Sequence, residues 1–349
     1  MAINGEYIVS INCITYNQSA YITDTLNGFT IQQTSFPFVA VVMDDASNDG
    51  EQVVIRSYVD EYFDHSDETG YKQWETDDAY WTFARHKENV QCYLVVAYLK
   101  RNLFREPEKK EALVKEWMNA KYMALCEGDD YWTDPLKLQK QVDFMETHEN
   151  CSCYAHNSLT LNTNTRQIGL FNNKLLHTKD YSLEPFILRD WFTPTQSLLY
   201  RRDSYQAFED KPVFMHGDYS LLLNVLLPQE SYLHYENDIM SVYRDGGWAS
   251  THYNEIDLYN DFISLLEYFK QKSNHRCDAI FDKQIERQRL ELEQYVKYQK
   301  EFEKAHVLFV RVGHWLCRTI ASIINKYVSC IQVTKKIVPM AVPNLEQLD

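Results

Sequence analysis

Glycine is scarce in this chain, with only ten in 349 residues. The glycine-bearing motifs GxGxxG, GxxxxGK[ST] and GxSxG are all missing, and so is HExxH. Dinucleotide-binding, P-loop, nucleophile-elbow and zincin readings therefore lose their main support. A phosphate would have to be held by a metal, a helix end or cationic side chains. Long apolar runs are lacking too. The longest, Tyr93 to Leu99, has seven residues, against about 18 for a membrane span. The opening Met1-Ala2-Ile3-Asn4-Gly5-Glu6 shows no basic stretch, apolar core or small-residue cleavage site of a signal peptide. Eight Cys lie scattered without a CxxC pair, which fits reduced thiols and a cytoplasmic setting. Cys151, Cys153 and His156 lack the second ligand pair of a typical metal site. Positive charge is also short, 35 Lys and Arg against 50 Asp and Glu, for a net charge of −15. Such a surface repels polyanions, so no nucleic-acid partner is expected.

What the chain has is size, aromatics and an alternating pattern. At roughly 150 residues per domain, its length suggests two domains or one large one with additions. Tyr (25), Phe (17) and Trp (7) are abundant, enough for half-buried platforms as well as core packing. Tyr7–Thr15 reads as a strand, followed by a helix capped by Ser19 with Ile22, Leu26 and Phe29 on one face. Phe38–Met43 is a nearly continuous apolar strand. A helix marked by Ile55, Tyr58 and Val59 follows, then a strand over Gln91–Leu99, a helix over Glu108–Ala120 and a strand over Tyr122–Cys126. This order predicts an α/β fold with a mainly parallel central sheet flanked by helices, whose ligands gather at the carboxyl ends of the strands. Residues 64–89, with seven acids and three bases, read as a surface insertion. Leu138, Val142 and Met145 mark a helix entered through Asp134-Pro135.

Acid clusters where strands end. The second strand runs into Asp44-Asp45-Ala46-Ser47-Asn48-Asp49-Gly50, and the strand at Tyr122 runs into Glu127-Gly128-Asp129-Asp130-Tyr131-Trp132. Adjacent carboxylates repel, so they persist most easily where a cation or a hydroxyl-rich ligand satisfies them. Hard oxygen ligands of this kind suit Mg2+ or Mn2+ carrying a diphosphate. Asx-type turns capping the following helices are the bland alternative for either cluster.

With Ile14-Thr15-Tyr16-Asn17 after the first strand and Asp134-Pro135-Leu136-Lys137-Leu138 after the last acid cluster, these motifs resemble the family 2 glycosyltransferases of GT-A fold. Bacterial members that build surface polysaccharides are the most similar. The resemblance covers roughly residues 5 to 250 and is strongest over 5–50 and 120–145. It implies a GT-A domain over 1–255, with a nucleotide-sugar half (1–135) and an acceptor half (136–255), then a helical region over 256–349. It further implies that Thr15, Asp45 and Asp129 hold a nucleotide sugar, a UDP-sugar foremost, and that Asp130 is the metal ligand of a DXD-type motif. The cofactor would be Mn2+ or Mg2+. Met215-His216-Gly217-Asp218 matches the acidic motif supplying the base of an inverting transfer, with Gly-Asp where many relatives have Glu-Asp. Asp218 is then the catalytic base, with a helix N-cap as the competing role, and His216 a neighbour that tunes it. Trp191 to Gln196 corresponds to a segment lining the acceptor side. Tyr243-Arg244-Asp245-Gly246-Gly247-Trp248 resembles a segment closing over the diphosphate, which makes Arg244 a phosphate contact or else a surface salt bridge. The acceptor would be a hydroxyl of a glycan or lipid-linked glycan. A non-catalytic nucleotide-sugar-binding protein, or a partner subunit of a glycosyltransferase, remains the rival.

From Lys304 to Leu345 there are six Lys or Arg and no acid. Arg311, His314 and Arg318 fall on one helical face and Phe309, Val312, Leu316 and Ile320 on another. Two readings stand: an interfacial helix on anionic lipid at the inner face of the membrane, or a helix packed on protein.

Overall fold

All seven residues of Phe38–Asp44 are buried, as a strand covered on both faces requires. This strand lies at the heart of a sheet described here, in a computed structural model, over residues 7–189, 191–245 and 254–302. The strands are β1 (Val9–Thr15), β2 (Phe38–Asp44), β3 (Phe63–Asp64), β4 (Lys72–Glu75), β5 (Ala79–His86), β6 (Cys92–Leu99) and β7 (Tyr122–Leu125). They continue with β8 (Tyr131–Trp132), β9 (Cys151–Asn162), β10 (Ile168–Leu170), β11 (Asp180–Tyr181), β12 (Leu199–Arg201) and β13 (Tyr232–Asp245). The helices are α1 (Ile22–Thr30), α2 (Glu51–Tyr62), α3 (Pro107–Val114), α4 (Lys137–Thr147), α5 (Leu183–Ile187), α6 (Gly217–Val225) and α7 (Glu255–Lys272).

The main path through the sheet is β11-β13-β9-β12-β7-β1-β2-β6-β5-β3. β7, β1, β2 and β6 run parallel, and so do β9 and β13. β12 runs antiparallel between β7 and β9, and β5 runs antiparallel beside β6. The sheet is therefore mixed rather than mainly parallel. The expectation missed this because the antiparallel strands lie in stretches without a clean apolar run. One of them is β5, which falls in the acidic stretch read as a surface insertion. Asp77, Asp78 and Glu88 lie in the bends that flank it, while Ala79, Trp81 and Phe83 are buried in the sheet.

Alternate side chains of the parallel strands feed two cores. Val9, Ile11, Phe38, Ala40 and Val42 pack with Leu26 and Phe29 of α1 and Ile55 and Val59 of α2. Val39, Val41, Val95 and Ala97 face Trp81, Phe83 and Trp117. The expected third helix stops at Val114, because Trp117 turns inward to stack on Phe83 and its carbonyl accepts from Ser10 Oγ at 2.7 Å. Ser19 does not cap α1; its N–H donates to Asp49 Oδ2 at 2.9 Å, and the helix begins at Ile22. Gly28 lets α1 lie directly on β8, since a Cβ there would meet the Trp132 nitrogen at 2.7 Å.

The chain divides into two compact units, Met1–Gln288 and Arg289–Asp349. In the first, residues 278–288 follow α7 as helix; in the second, residues 289–302 are helical. The basic amphipathic stretch 304–345 lies outside the described residues, as do Gly246 to Trp248. Among the described residues no helix is long and apolar enough to cross a membrane. Cys13, Cys92, Cys126, Cys151, Cys153 and Cys277 are free and buried.

Candidate active site

The carboxyl ends of β1, β2, β6 and β7 lie side by side, and backbone hydrogen bonds bind the loops that leave them. Asp45 N donates to Thr15 O at 2.9 Å and Gly128 N to Ile14 O at 3.1 Å. Asn102, beyond β6, donates from Nδ2 to Asp45 O at 3.0 Å. The two acid clusters are thus brought to one end of the sheet.

Glu51 ties the first two loops together. It accepts from Thr15 Oγ1, from Gln18 N at 2.8 Å and from Ser47 Oγ at 2.8 Å. Burial raises its pKa, and Asp44 adds to the rise. In sequence Glu51 is only the first acid of a helix, so nothing marked it out. Thr15 is 1% exposed with its hydroxyl given to Glu51; it builds the wall rather than opening onto the cleft. Asp45 is also buried, accepting from Leu103 N at 2.6 Å and pairing with Lys110 Nζ at 3.1 Å. Tyr16, by contrast, is 38% exposed. Trp132 is core: its ring meets Phe29 edge-on, and Nε1 donates to Gln196 O at 2.8 Å.

The acid loop after β7 is held from several sides. Thr25 Oγ1 donates to the carbonyls of Gly128 and Asp130 at 2.9 and 2.7 Å. Arg244 N donates to Asp130 Oδ1 at 2.7 Å, and its Nη1 to Asp129 O at 2.5 Å. The guanidinium also pairs with Asp24 and lies between the rings of Tyr21 and Tyr131, at 4.7 and 4.5 Å. Arg244 is 6% exposed, so it is no surface salt bridge.

Three carboxylates crowd this loop. Glu127 opens to solvent on one side. It is nonetheless walled in deeply enough that desolvation, with Asp129 and Asp218 nearby, pushes its pKa up to about 7. Burial also raises Asp129, against the pull of Arg244 and a hydrogen bond from Gln18. Asp130 is raised well above the carboxylate range by burial and by Asp129. With Oδ1 bonded to Arg244, its Oδ2 lies 3.3 Å from the Gln196 amide nitrogen when that amide is turned to suit its neighbours. Mutual repulsion of this kind is what a divalent cation relieves, and the donors are the hard oxygens that Mg2+ and Mn2+ prefer. Among the described residues no three His, Cys, Asp or Glu side chains close a cage around a metal.

Asp218 sits in the first turn of α6, where the helix dipole favours a carboxylate. Its Oδ2 accepts from Thr195 Oγ1 and its Oδ1 from Tyr219 N, both at 2.8 Å. His216 does not tune it directly; His216 Nδ1 lies 2.9 Å from Asp261 Oδ2, on α7. Asp218 also lines a cavity of about 400 Å³ walled by Trp191, Tyr219, Tyr259 and Phe262. Asp218 is also one of the charges that raise Glu127, after burial and Asp129. The partner role of Thr195 was missed, although Trp191 to Gln196 was read as acceptor-side.

No family model matches the chain. Curated relatives include uncharacterized proteins of Mycobacterium bovis and Mycobacterium tuberculosis, each 29% identical over 257 residues, covering 70% of this chain. The chain spans 61% of the length of these relatives. Among solved structures it is similar to S. aureus TarS 1-349 in complex with UDP, with TM-score 0.47 and 17% identity, covering 74% of this chain and 64% of that one. It is also similar to the mannosyltransferase PcManGT from Pyrobaculum calidifontis in complex with GDP-Man and Mn2+, with TM-score 0.46 and 12% identity, covering 76% and 64%.

Proposed function

We propose that this chain is a divalent-metal-dependent, inverting glycosyltransferase of family 2 and GT-A type. It moves a sugar from a nucleoside diphosphate, UDP foremost, to a hydroxyl of a glycan or lipid-linked glycan. The carrying observation is the crowding of Glu127, Asp129 and Asp130 at one end of the sheet, with Asp218 close enough to act on Glu127. One end of the fold in this reading offers both a crowded cluster of carboxylates, only partly offset by Arg244, and a separate carboxylate on a helix start. Residues 1–255 form the transferase domain in this reading and 256–349 a helical region.

A bound Mg2+ or Mn2+ supplies the positive charge that neutralises the departing diphosphate. The sequence put this ion on Asp130; the hydrogen bonds on both Asp130 oxygens favour Asp129 as the ligand, with Asp130 bracing the loop. Asp45 and the exposed Tyr16 flank the place for the nucleoside, and Arg244 keeps the acid loop in position. Asp218 takes the proton of the acceptor hydroxyl as its oxygen bonds to sugar C1 and the bond from C1 to the diphosphate oxygen breaks. A well-placed base contributes about 10²- to 10⁴-fold. Thr195 holds the Asp218 carboxylate for that step.

The test is thermal stabilisation by UDP or GDP with Mn2+, followed by transfer assays. Stabilisation that needs both nucleotide and metal, lost in Asp129→Asn and kept in Asp218→Asn while turnover is lost, is the expected result. If Asp130→Asn abolishes metal dependence and Asp129→Asn does not, the ion belongs on Asp130. No stabilisation by any nucleoside diphosphate with Mn2+ overturns the reading.

A further inference from the structure

We infer that the cavity beside Asp218 is a seat for an uncharged pyranose unit of the acceptor, which rests on the transferase reading above and gives that acceptor a chemistry. The cavity is about 400 Å³, ample for one sugar ring. One wall is aromatic. Trp191 and Tyr219 stand 5.6 Å apart between ring centroids, and Tyr219 and Phe262 stand 4.8 Å apart. Trp191 is 38% exposed, so part of this side chain remains accessible to a ligand. Aromatic faces carry negative quadrupole charge and attract the weakly positive C–H face of a pyranose. Polar groups in the lining include Glu255 from α7, then Gln284 and Gln288 from the helical residues that follow it. Amides of this kind donate to and accept from hydroxyl groups, and the carboxylate accepts from them.

Charge decides between a neutral and an anionic acceptor. Arg189 is the cation of the lining, and its guanidinium already lies over the rings of Tyr181 and Phe192, at 5.3 and 5.0 Å. Against it stand Asp218 and Glu255, while His216 is paired with Asp261. A phosphate or uronate would meet two carboxylates for one engaged guanidinium, which is repulsive on balance. A neutral ring stacked on Trp191 places its hydroxyls toward Asp218, the base of the proposed transfer. Specificity for this unit thus comes from α7 and the helix after it.

The experiment uses the full chain with UDP and Mn2+ and reads saccharide binding by saturation-transfer NMR. The probes are maltose, cellobiose, lactose and N-acetylglucosamine, with glucose 6-phosphate and glucuronic acid as charged controls. A neutral saccharide should bind and the charged controls should not. Trp191→Ala should weaken that binding about tenfold, as loss of a central aromatic anchor does, while Trp191→Phe keeps most of it. Thermal stabilisation by UDP and Mn2+ is measured in the same samples and should be unchanged in both variants. Failure of every neutral probe, tighter binding of a charged control, or parent-like binding by Trp191→Ala overturns the inference while nucleotide stabilisation leaves the transferase reading intact. Saccharide binding without any nucleotide stabilisation supports the seat and overturns the transferase reading instead.

Discussion

The backbone N–H of Arg244 donates to Asp130 Oδ1 at 2.7 Å, joining the end of β13 to the acid loop across 114 residues of chain. The same residue's guanidinium bonds the Asp129 carbonyl and lies between Tyr21 and Tyr131. Arg244 therefore acts on any ligand of this loop by fixing the loop's shape. Arg244→Ala is expected to cost about 2 kcal/mol of stability, from lost charge-assisted hydrogen bonds and ring contacts. It should also weaken Mn2+-dependent UDP binding. Arg244→Lys keeps the charge but not the planar fork, so it should restore little. Scanning fluorimetry and titration calorimetry check this. If Arg244→Lys binds UDP and Mn2+ as the parent does, a simple phosphate contact by charge is the better account.

Gly128 carries a stricter demand. A Cβ placed there would sit 2.1 Å from Thr15 Oγ1 and 2.5 Å from Thr15 Cβ. Thr15 is pinned by its bond to Glu51 and cannot swing aside without breaking it. Gly128→Ala should push the acid loop off β1, costing about 1–3 kcal/mol as overpacking does. Nucleotide stabilisation should fall with it. A melting temperature and UDP response equal to the parent's would show that the loop is not held against Thr15.

Thr195 and Asp218 form the pair on which the proton transfer depends in the proposed mechanism. Thr195→Val keeps the shape and removes the hydroxyl that donates to Asp218 Oδ2. Turnover should fall about tenfold, a modest part of what general-base catalysis contributes. The KM for the nucleotide sugar should hold, and Thr195→Ser should recover most of the rate. A loss that appears in donor KM instead, or that Thr195→Ser does not repair, would assign Thr195 to packing.

The strands β2, β6 and β7 were legible as nearly continuous apolar runs and β1 as a short β-rich run, and the acid clusters because they follow β2 and β7 directly. β5 was not, since Trp81 and Phe83 alternate with polar residues inside an acid-rich stretch and net charge masked the pattern. Glu51 was hidden because a buried acid that bonds two loops looks, in sequence, like any first-turn acid of a helix. Thr15 and Asp45 were read as contacts of the nucleotide sugar, and only the fold shows that their polar atoms meet Glu51, Leu103 and Lys110 instead. Asp130 was similarly visible as an acid, while its burial depended on Arg244, more than a hundred residues away.

Lys137 was quoted only as part of the Asp134–Leu138 motif, and the fold makes it 0% exposed. Its Nζ donates to Gln141 Oε1 at 2.8 Å and lies 4.0 Å from the centre of the Trp132 ring. Burial pulls its pKa down to about 7. In the unfolded chain a lysine titrates near 10.4. Between about pH 7 and pH 10 the unfolded state then binds more protons at this site than the folded state, so Lys137 contributes stability that grows as pH rises. Lys137→Met has no such group. The difference in unfolding free energy between parent and variant should therefore shift in favour of the parent by a few kcal/mol, on the order of the linkage for about three pKa units, as pH goes from 7 to 10. Comparing the two proteins at each pH cancels the tyrosines and cysteines that titrate in the same range. Urea unfolding at pH 7, 8, 9 and 10 measures it. A constant difference across that series would mean that Lys137 keeps its proton in the folded protein and is held as a buried ammonium by Gln141 and the face of Trp132.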